Sequence, residues 1–221
     1  MHRVLSFFIH GQTLLRKSQS RITRTKNKTA FASFYSSKMS SLPTSTDVLT
    51  FWFKELSPPQ WFTKSSELDM TITARFSALH TAAAKGEICS WRSSPEGCLA
   101  EIIILDQFSR NIYRDNPKAF AQDQLALELA QLAVGQGFDE KVSVQCKMFL
   151  YMPFMHSEKI EHHAEALKLF AQDGLEHALE FEKKHLAIIE KFGRYPHRNK
   201  ILGRESTQEE LEFLEGPDSS F

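Results

Sequence analysis

The chain has 221 residues, 27 of them basic and 27 acidic, and its aromatic residues are mostly phenylalanine; that length suits one compact domain with a generous core, or one domain plus a tail. Balanced overall charge hides an asymmetry, because eight basic residues and no acid fall in residues 1–38, so residues 39–221 carry a formal charge of −8. An acidic body argues against nonspecific nucleic-acid binding, the scattered Cys89, Cys98 and Cys146 argue for a reducing compartment and against a disulfide framework or thiolate zinc site, and no apolar run reaches the roughly 20 residues of a membrane-crossing helix.

Taken in chain order, residues 1–38 join a short apolar start, Val4 to Ile9, to Ser/Thr-rich and Arg/Lys-rich sequence, the composition of an organellar transit peptide. A disordered basic extension, or a true start at Met39, are the rival readings. Residues 1–44 are therefore set apart from a single domain at 45–221. The expected location is a mitochondrial or other organellar matrix if residues 1–38 act as a targeting signal, and cytoplasmic otherwise.

A first helix is predicted after Thr44-Ser45-Thr46, with Asp47 in its first turn and Val48, Leu49, Phe51, Trp52, Phe53 and Leu56 as its apolar surface. Pro58-Pro59 should stop it, leaving Trp61-Phe62 to plug the core from a loop. A second helix, capped by Ser65 or Ser66, buries Ile72, Phe76, Leu79 and Ala83 and ends at Gly86. Ser94-Pro95-Glu96 starts a third that runs to Tyr113. On it Leu105, Phe108 and Ile112 share one side, while Asp106, Gln107, Arg110 and Arg114 form a stripe that, taken alone, reads as a solvated face.

Pro117 opens a fourth helix, Lys118 to about Val134. A fifth segment, Val142 to Met155, is kinked or ended by Pro153, and Ser157 is the expected N-cap of a sixth, reaching about Gln172 with Glu158 in its first turn. The seventh, Leu175 to Phe192, leads into Gly193–Arg204, read as a loop rich in arginine, histidine and asparagine between two glycines. Ser206 to Glu209 reads as the capping box of a short last helix stopped by Gly216-Pro217. Without strand alternation, the class is all-α, built of antiparallel helix pairs. Ala164 to Phe170 followed by Leu175 to Leu186 looks like one tetratricopeptide-type (TPR-type) hairpin, although no period recurs cleanly.

Four stretches carry a resemblance beyond fold class: Val48-Leu49 with Phe51-Trp52-Phe53; Leu105 to Phe108 with Arg110 to Arg114; Phe149 to Glu158; and Phe192 to Arg204. In that order they closely resemble the domain of unknown function 924 family, largely bacterial and placed in the TPR-like helical superfamily, over roughly residues 45–221. The resemblance implies an all-α TPR-like fold and carries no assigned activity. Family members often have Pro at the position of Ser109, Arg at Lys147, Phe at Tyr195 and Gln near His162 or His163.

The residue types themselves narrow the chemistry. Glu182-x-x-His185 places a carboxylate and an imidazole on one helix face, but no second such unit and no His-Glu-x-x-His exist to complete a metal site, so no metal and no cofactor are expected. Ser157 between His156 and Glu158 is not a triad, since adjacent side chains diverge. The surviving candidate joins Asp106, Gln107, Arg110, Asn111, Arg114, His185, Arg194, Arg198, Asn199 and Arg204 as ligand-binding groups with His156, His197 and Glu158 as acid/base groups. Three outcomes stay open: a pocket for an anionic small molecule or acidic peptide terminus; an enzyme, expected to be a hydrolase, acting on an anionic metabolite; and an interaction scaffold in which the polar cluster is a buried ion-pair network.

Overall fold

The computed structural model describes residues 42–217 and Ser219. The chain divides into two units, Met1–Ser41 and Leu42–Phe221; the described residues belong to the second, and the expectations for residues 1–38 lie outside them. Every regular element among the described residues is helical, so the class is all-α. None of these helices is long and apolar enough to cross a membrane.

α1 (Ser45–Thr50) opens on Thr44, whose hydroxyl accepts the Asp47 amide while the Asp47 carboxylate accepts the Thr44 amide. Wider π-type turns at Phe51–Glu55 prolong it and seat Phe51 and Trp52 in the core. Pro58-Pro59 does not leave a loop behind it; it begins α2 (Pro58–Phe62). First-turn amides have no partner within the helix, so proline loses nothing there, and Ser57 and Gln60 cap each other. Trp61 stacks on Trp52 and donates to its carbonyl as a core plug, whereas Phe62 is 64% exposed and plugs nothing.

α3 (Ser66–Ala84), capped by Ser65, buries Ile72, Phe76, Leu79 and Ala83 as its spacing predicts. Ser94 and Pro95 start α4 (Pro95–Ile103), which continues through π-type turns at Ile104–Phe108 into α5 (Ser109–Ile112). Residues 97–109 of this rod are buried without a break, with α1, α3, α6 and α7 packed around it. The stripe expected to be solvated is enclosed in its first half, where Asp106 and Gln107 are buried, while Arg110 and Arg114 stay partly exposed.

The fourth helix is broken in two. Pro117–Phe120 makes a single 3-10 turn and α6 (Asp123–Gly135) starts afresh. α7 (Val144–Met155) begins at a Ser143 cap and carries Pro153 in its last turn without ending there, because the one amide bond that proline deletes lies close to the helix end. Ser157 does not cap α8 (Ile160–Phe170); the N-cap is Lys159, whose amide donates to Ser157 Oγ at 3.1 Å.

α8 packs against both α7 and α9 (Glu176–Phe192). Gly193, at φ +67°, closes α9 in the left-handed region where glycine is favoured. The stretch read as a loop holds a 3-10 turn, Pro196–Arg198, and a short α10 (Asn199–Leu202). The box of α11 (Gln208–Leu214) is Thr207 with Glu210, one residue later than predicted. Ile188, Ile189 and Tyr195 form a small apolar cluster of their own, with Phe192 and Phe213 against it, and this roots the basic segment on α9 and α11.

Candidate functional site

The π-type turns at Ile104–Phe108 aim two neighbouring polar residues at the end of α7. Asp106 Oδ1 lies 2.7 Å from His156 Nδ1, and the Gln107 amide group reaches Asp106 Oδ2 and, at 3.5 Å, the Met152 sulfur. One turn on, Arg110 Nη1 lies 3.1 Å from Asp106 Oδ1 and donates to the Asp106 carbonyl at 2.7 Å. The same guanidinium forks onto Asp123, the first residue of α6, at 3.1 and 3.2 Å. Two arginines, Arg110 half-buried and Arg198 buried, share that carboxylate, since Arg198 Nη1 reaches Asp123 Oδ2 at 3.3 Å.

Arg198 is the least satisfied member of the group. It is 6% exposed, it lies between the rings of Phe120 and Tyr195 at 4.7 and 4.6 Å, and its Nη2 donates to the His156 carbonyl at 3.0 Å. Its Nε is buried with no acceptor. Such an orphaned donor is costly in a folded protein.

An open cavity of about 350 Å³ lies in front of these groups. Arg198, His156, Ser157, Glu158, Lys159, Asp123 and Gln124 supply its polar lining, and Pro117, Phe120, Leu127, Pro153 and Leu202 its apolar wall. Ser157 Oγ is engaged with His162 Nδ1 at 2.7 Å. Glu158 faces away from free use: Arg204 forks onto it at 2.7 and 2.9 Å, and the Tyr195 amide donates to it at 2.9 Å.

Burial alone would raise Asp106, but Arg110 and His156 outweigh it and keep the carboxyl well below its usual range. Burial lowers His156, against the pull of Asp106. The pair is thus an ionised carboxylate and a neutral imidazole whose Nδ1–H donates to it, which leaves Nε2 as the lone-pair nitrogen. Nε2 takes no partner among the described residues, and His156 lines the cavity. Burial also holds His185 at about 3 and His197 at about 4.

The model of the family described as "Bacterial protein of unknown function (DUF924)" matches residues 48–218. The chain belongs to this family. It is also similar to a solved structure of a protein of unknown function from Agrobacterium tumefaciens, at 39% identity and a TM-score of 0.74 over 78% of this chain and 97% of that one. No curated protein matches it.

In this DUF924 member the predicted site residues divide into two sets. His156, Glu158 and Arg198 line the cavity, with Asp106, Gln107 and Arg110 packed behind them. His185 lies ring to ring with His156 and Tyr195, and His197 with Tyr195.

The second set is bound up in carboxylate pairs. Arg114 and Asn111 both turn to Asp69 on α3, at 2.5 and 2.9 Å. Arg194 forks onto Glu210, and Arg204 also bonds Asn199, whose amide reaches Ser206. Glu182 and His185 do not turn to a common centre either: the Glu182 carboxylate takes His163 at 2.8 Å, and His185 Nδ1 donates to the Phe181 carbonyl.

Asp123, Phe120 and Asp69 escape a reading of the sequence. Asp123 at the start of a helix reads as an ordinary first-turn acid, and only the break after Phe120 brings it to the two arginines. The Asn116-Pro117 start followed by a second acidic start at Asp123 is the signal that could have found it.

Proposed function

We propose that the cavity binds an anionic small molecule, or the acidic terminus of a peptide, with Arg198 as its anchor. One observation carries the reading: a guanidinium 6% exposed, with Nε lacking an acceptor and a single long bond to a carboxylate it shares with Arg110, lines an open cavity. A ligand carboxylate or phosphate in the cavity takes up the remaining N–H groups of Nη1 and Nη2, each of which holds one acceptor within the protein. The neighbouring Arg194 and Arg204, each with its own carboxylate, serve to shape the segment that presents Arg198.

Isothermal titration with small carboxylates, inorganic phosphate and an acidic tripeptide tests this. Arg198→Gln is expected to weaken whichever anion binds by at least about tenfold, the order of a charge-assisted hydrogen bond, while Lys200→Ala, exposed and outside the lining, leaves it unchanged. Equal affinity in Arg198→Gln and the parent contradicts the reading.

A second reading, an enzyme of hydrolytic type, draws on the Asp106–His156 pair, in which a carboxylate orients the imidazole of a cavity-lining histidine whose other nitrogen takes no partner among the described residues. Turnover of an anionic ester or amide that disappears in His156→Gln supports it. Two further elements stand as proposals: a TPR-like arrangement, for which the packed pair α8–α9 is the support, and delivery of the chain to an organelle by residues 1–38.

A further inference from the structure

Given an anion held at Arg198, as proposed above, we infer that the ligand is a small carboxylic acid with an apolar body, and that its binding takes up one proton at Nε2 of His156. The charges packed on His156 come from every side of the cluster: Asp106 from the π-type turns, Arg110 of α5, Asp123 of α6, and Arg198 from the turn after α9, with the imidazoles of His185 and His197 nearby. The two carboxylates offset the two guanidiniums, and Glu158 is matched by Arg204. With its imidazoles neutral, the cluster is already balanced. A monoanion seated against these largely buried side chains leaves one negative charge uncompensated unless a proton arrives with it.

His156 is where that proton goes. It is the histidine among the cavity-lining residues, its Nδ1–H is committed to Asp106, its Nε2 takes no partner among the described residues, and Arg198 lines the same cavity. Once protonated, Nε2 donates to the ligand while Asp106 stabilises the imidazolium. The carboxylate oxygen thus finds two charge-assisted donors, one from Arg198 and one from His156.

Phosphate and other dianions fit less well. Asp123 and Glu158 share the lining, so a second negative charge meets carboxylates with no buried cation left to answer it, and Lys159, being exposed, is screened by water. The apolar part of the lining, Phe120, Leu127, Pro153 and Leu202, asks for hydrocarbon. A volume of about 350 Å³ lies near the lower end of the roughly 300–1,000 Å³ usual for small-molecule sites, which limits the ligand to a short chain or one ring.

The experiment is calorimetry at pH 7 with butyrate, hexanoate and inorganic phosphate, each in two buffers of different ionisation enthalpy, on the parent and on His156→Gln. Hexanoate is expected to bind more tightly than butyrate, by up to about fourfold per added methylene, and more tightly than phosphate. Its observed enthalpy should vary with the buffer in the proportion of one proton taken up. That dependence should vanish in His156→Gln. As a readout on the parent alone, the ¹⁵N resonances of His156 should move to imidazolium positions on saturation with hexanoate.

Binding of hexanoate without proton uptake, or with uptake retained in His156→Gln, overturns the inference and leaves the anion site standing. So does phosphate binding more tightly than both carboxylates. If the folded parent binds none of the three anions, both the inference and the anion reading are overturned.

Discussion

His156 Nδ1 donates to Asp106 Oδ1 at 2.7 Å across 50 positions of sequence, and this bond ties the buried rod of α4 and α5 to the end of α7. It also decides which imidazole nitrogen meets the cavity. Arg110, bonded to the same carboxylate and to Asp123, extends the tie to the start of α6. The position and the tautomer of the imidazole are therefore set by one buried anion, and its neutral state by burial.

Replacing that anion is expected to be costly. Asp106→Asn removes a fully buried carboxylate, leaving Arg110 with Asp123 alone and His156 with a neutral acceptor, and the loss of one charged member of such a buried network costs about 3–5 kcal/mol. Urea unfolding followed by circular dichroism measures it. A loss under about 1 kcal/mol means the carboxylate is not the keystone of the cluster.

Stability should also depend on pH with a definite sign. Burial depresses His156, His185 and His197, the last two to about 3 and about 4, whereas in the unfolded chain they titrate near 6.5. Between those values the unfolded chain binds more protons than the folded one. Stability is thus full above pH of about 6.5 and falls below it, by up to about 1.4 kcal/mol per pH unit for each histidine. The urea midpoint is expected to be level from pH 7 to 8 and to drop steeply from 6.5 to 5; a level or rising midpoint in that lower window contradicts the assignment.

Local chemistry made much of the fold legible. Ser94 before Pro95 and Ser65 before an apolar period announce helix starts whatever surrounds them, and Ile72, Phe76, Leu79 and Ala83 show their face by spacing alone. Pro58-Pro59 misled because proline both stops a helix and suits its first turn, and the choice depends on Ser57 and Gln60 capping each other. At the site, Asp106, His156 and Arg198 stood out by residue type. The network that joins them did not, since it rests on π-type turns that have no sequence signature of their own and on a helix break whose signal is no more than a second acidic start at Asp123, where Arg110 and Arg198 meet. Arg194 and Arg204 looked like ligand groups because nothing local reveals that Glu210 and Glu158 meet them.

Arg204 offers a separate test of the frame around the site. Its fork onto Glu158, with the Tyr195 amide on the same carboxylate, holds the turn that carries Arg198. Lysine keeps the charge and loses the fork. Arg204→Lys is expected to speed hydrogen exchange at the Tyr195 amide by roughly ten- to a hundredfold, the equivalent of about 1.5–3 kcal/mol for a charge-assisted bond, with exchange along α3 unchanged. Unaltered exchange at Tyr195 contradicts this role.

Residues 1–38, basic and without an acid, are expected to carry a fluorescent reporter into mitochondria or another organelle when fused ahead of it, while residues 39–221 leave the reporter diffuse. Fluorescence microscopy of both fusions decides the matter. A diffuse signal from the first fusion contradicts targeting.

The claim on which the functional account rests is that Arg198 is an unfinished anion site. A crystal structure of the protein grown with hexanoate tests it most directly. A carboxylate is expected in the cavity within about 3 Å of the Arg198 guanidinium and of His156 Nε2, with the hydrocarbon chain along Phe120 and Leu127. An empty cavity under saturating hexanoate, or a carboxylate bound elsewhere with Arg198 untouched, contradicts it.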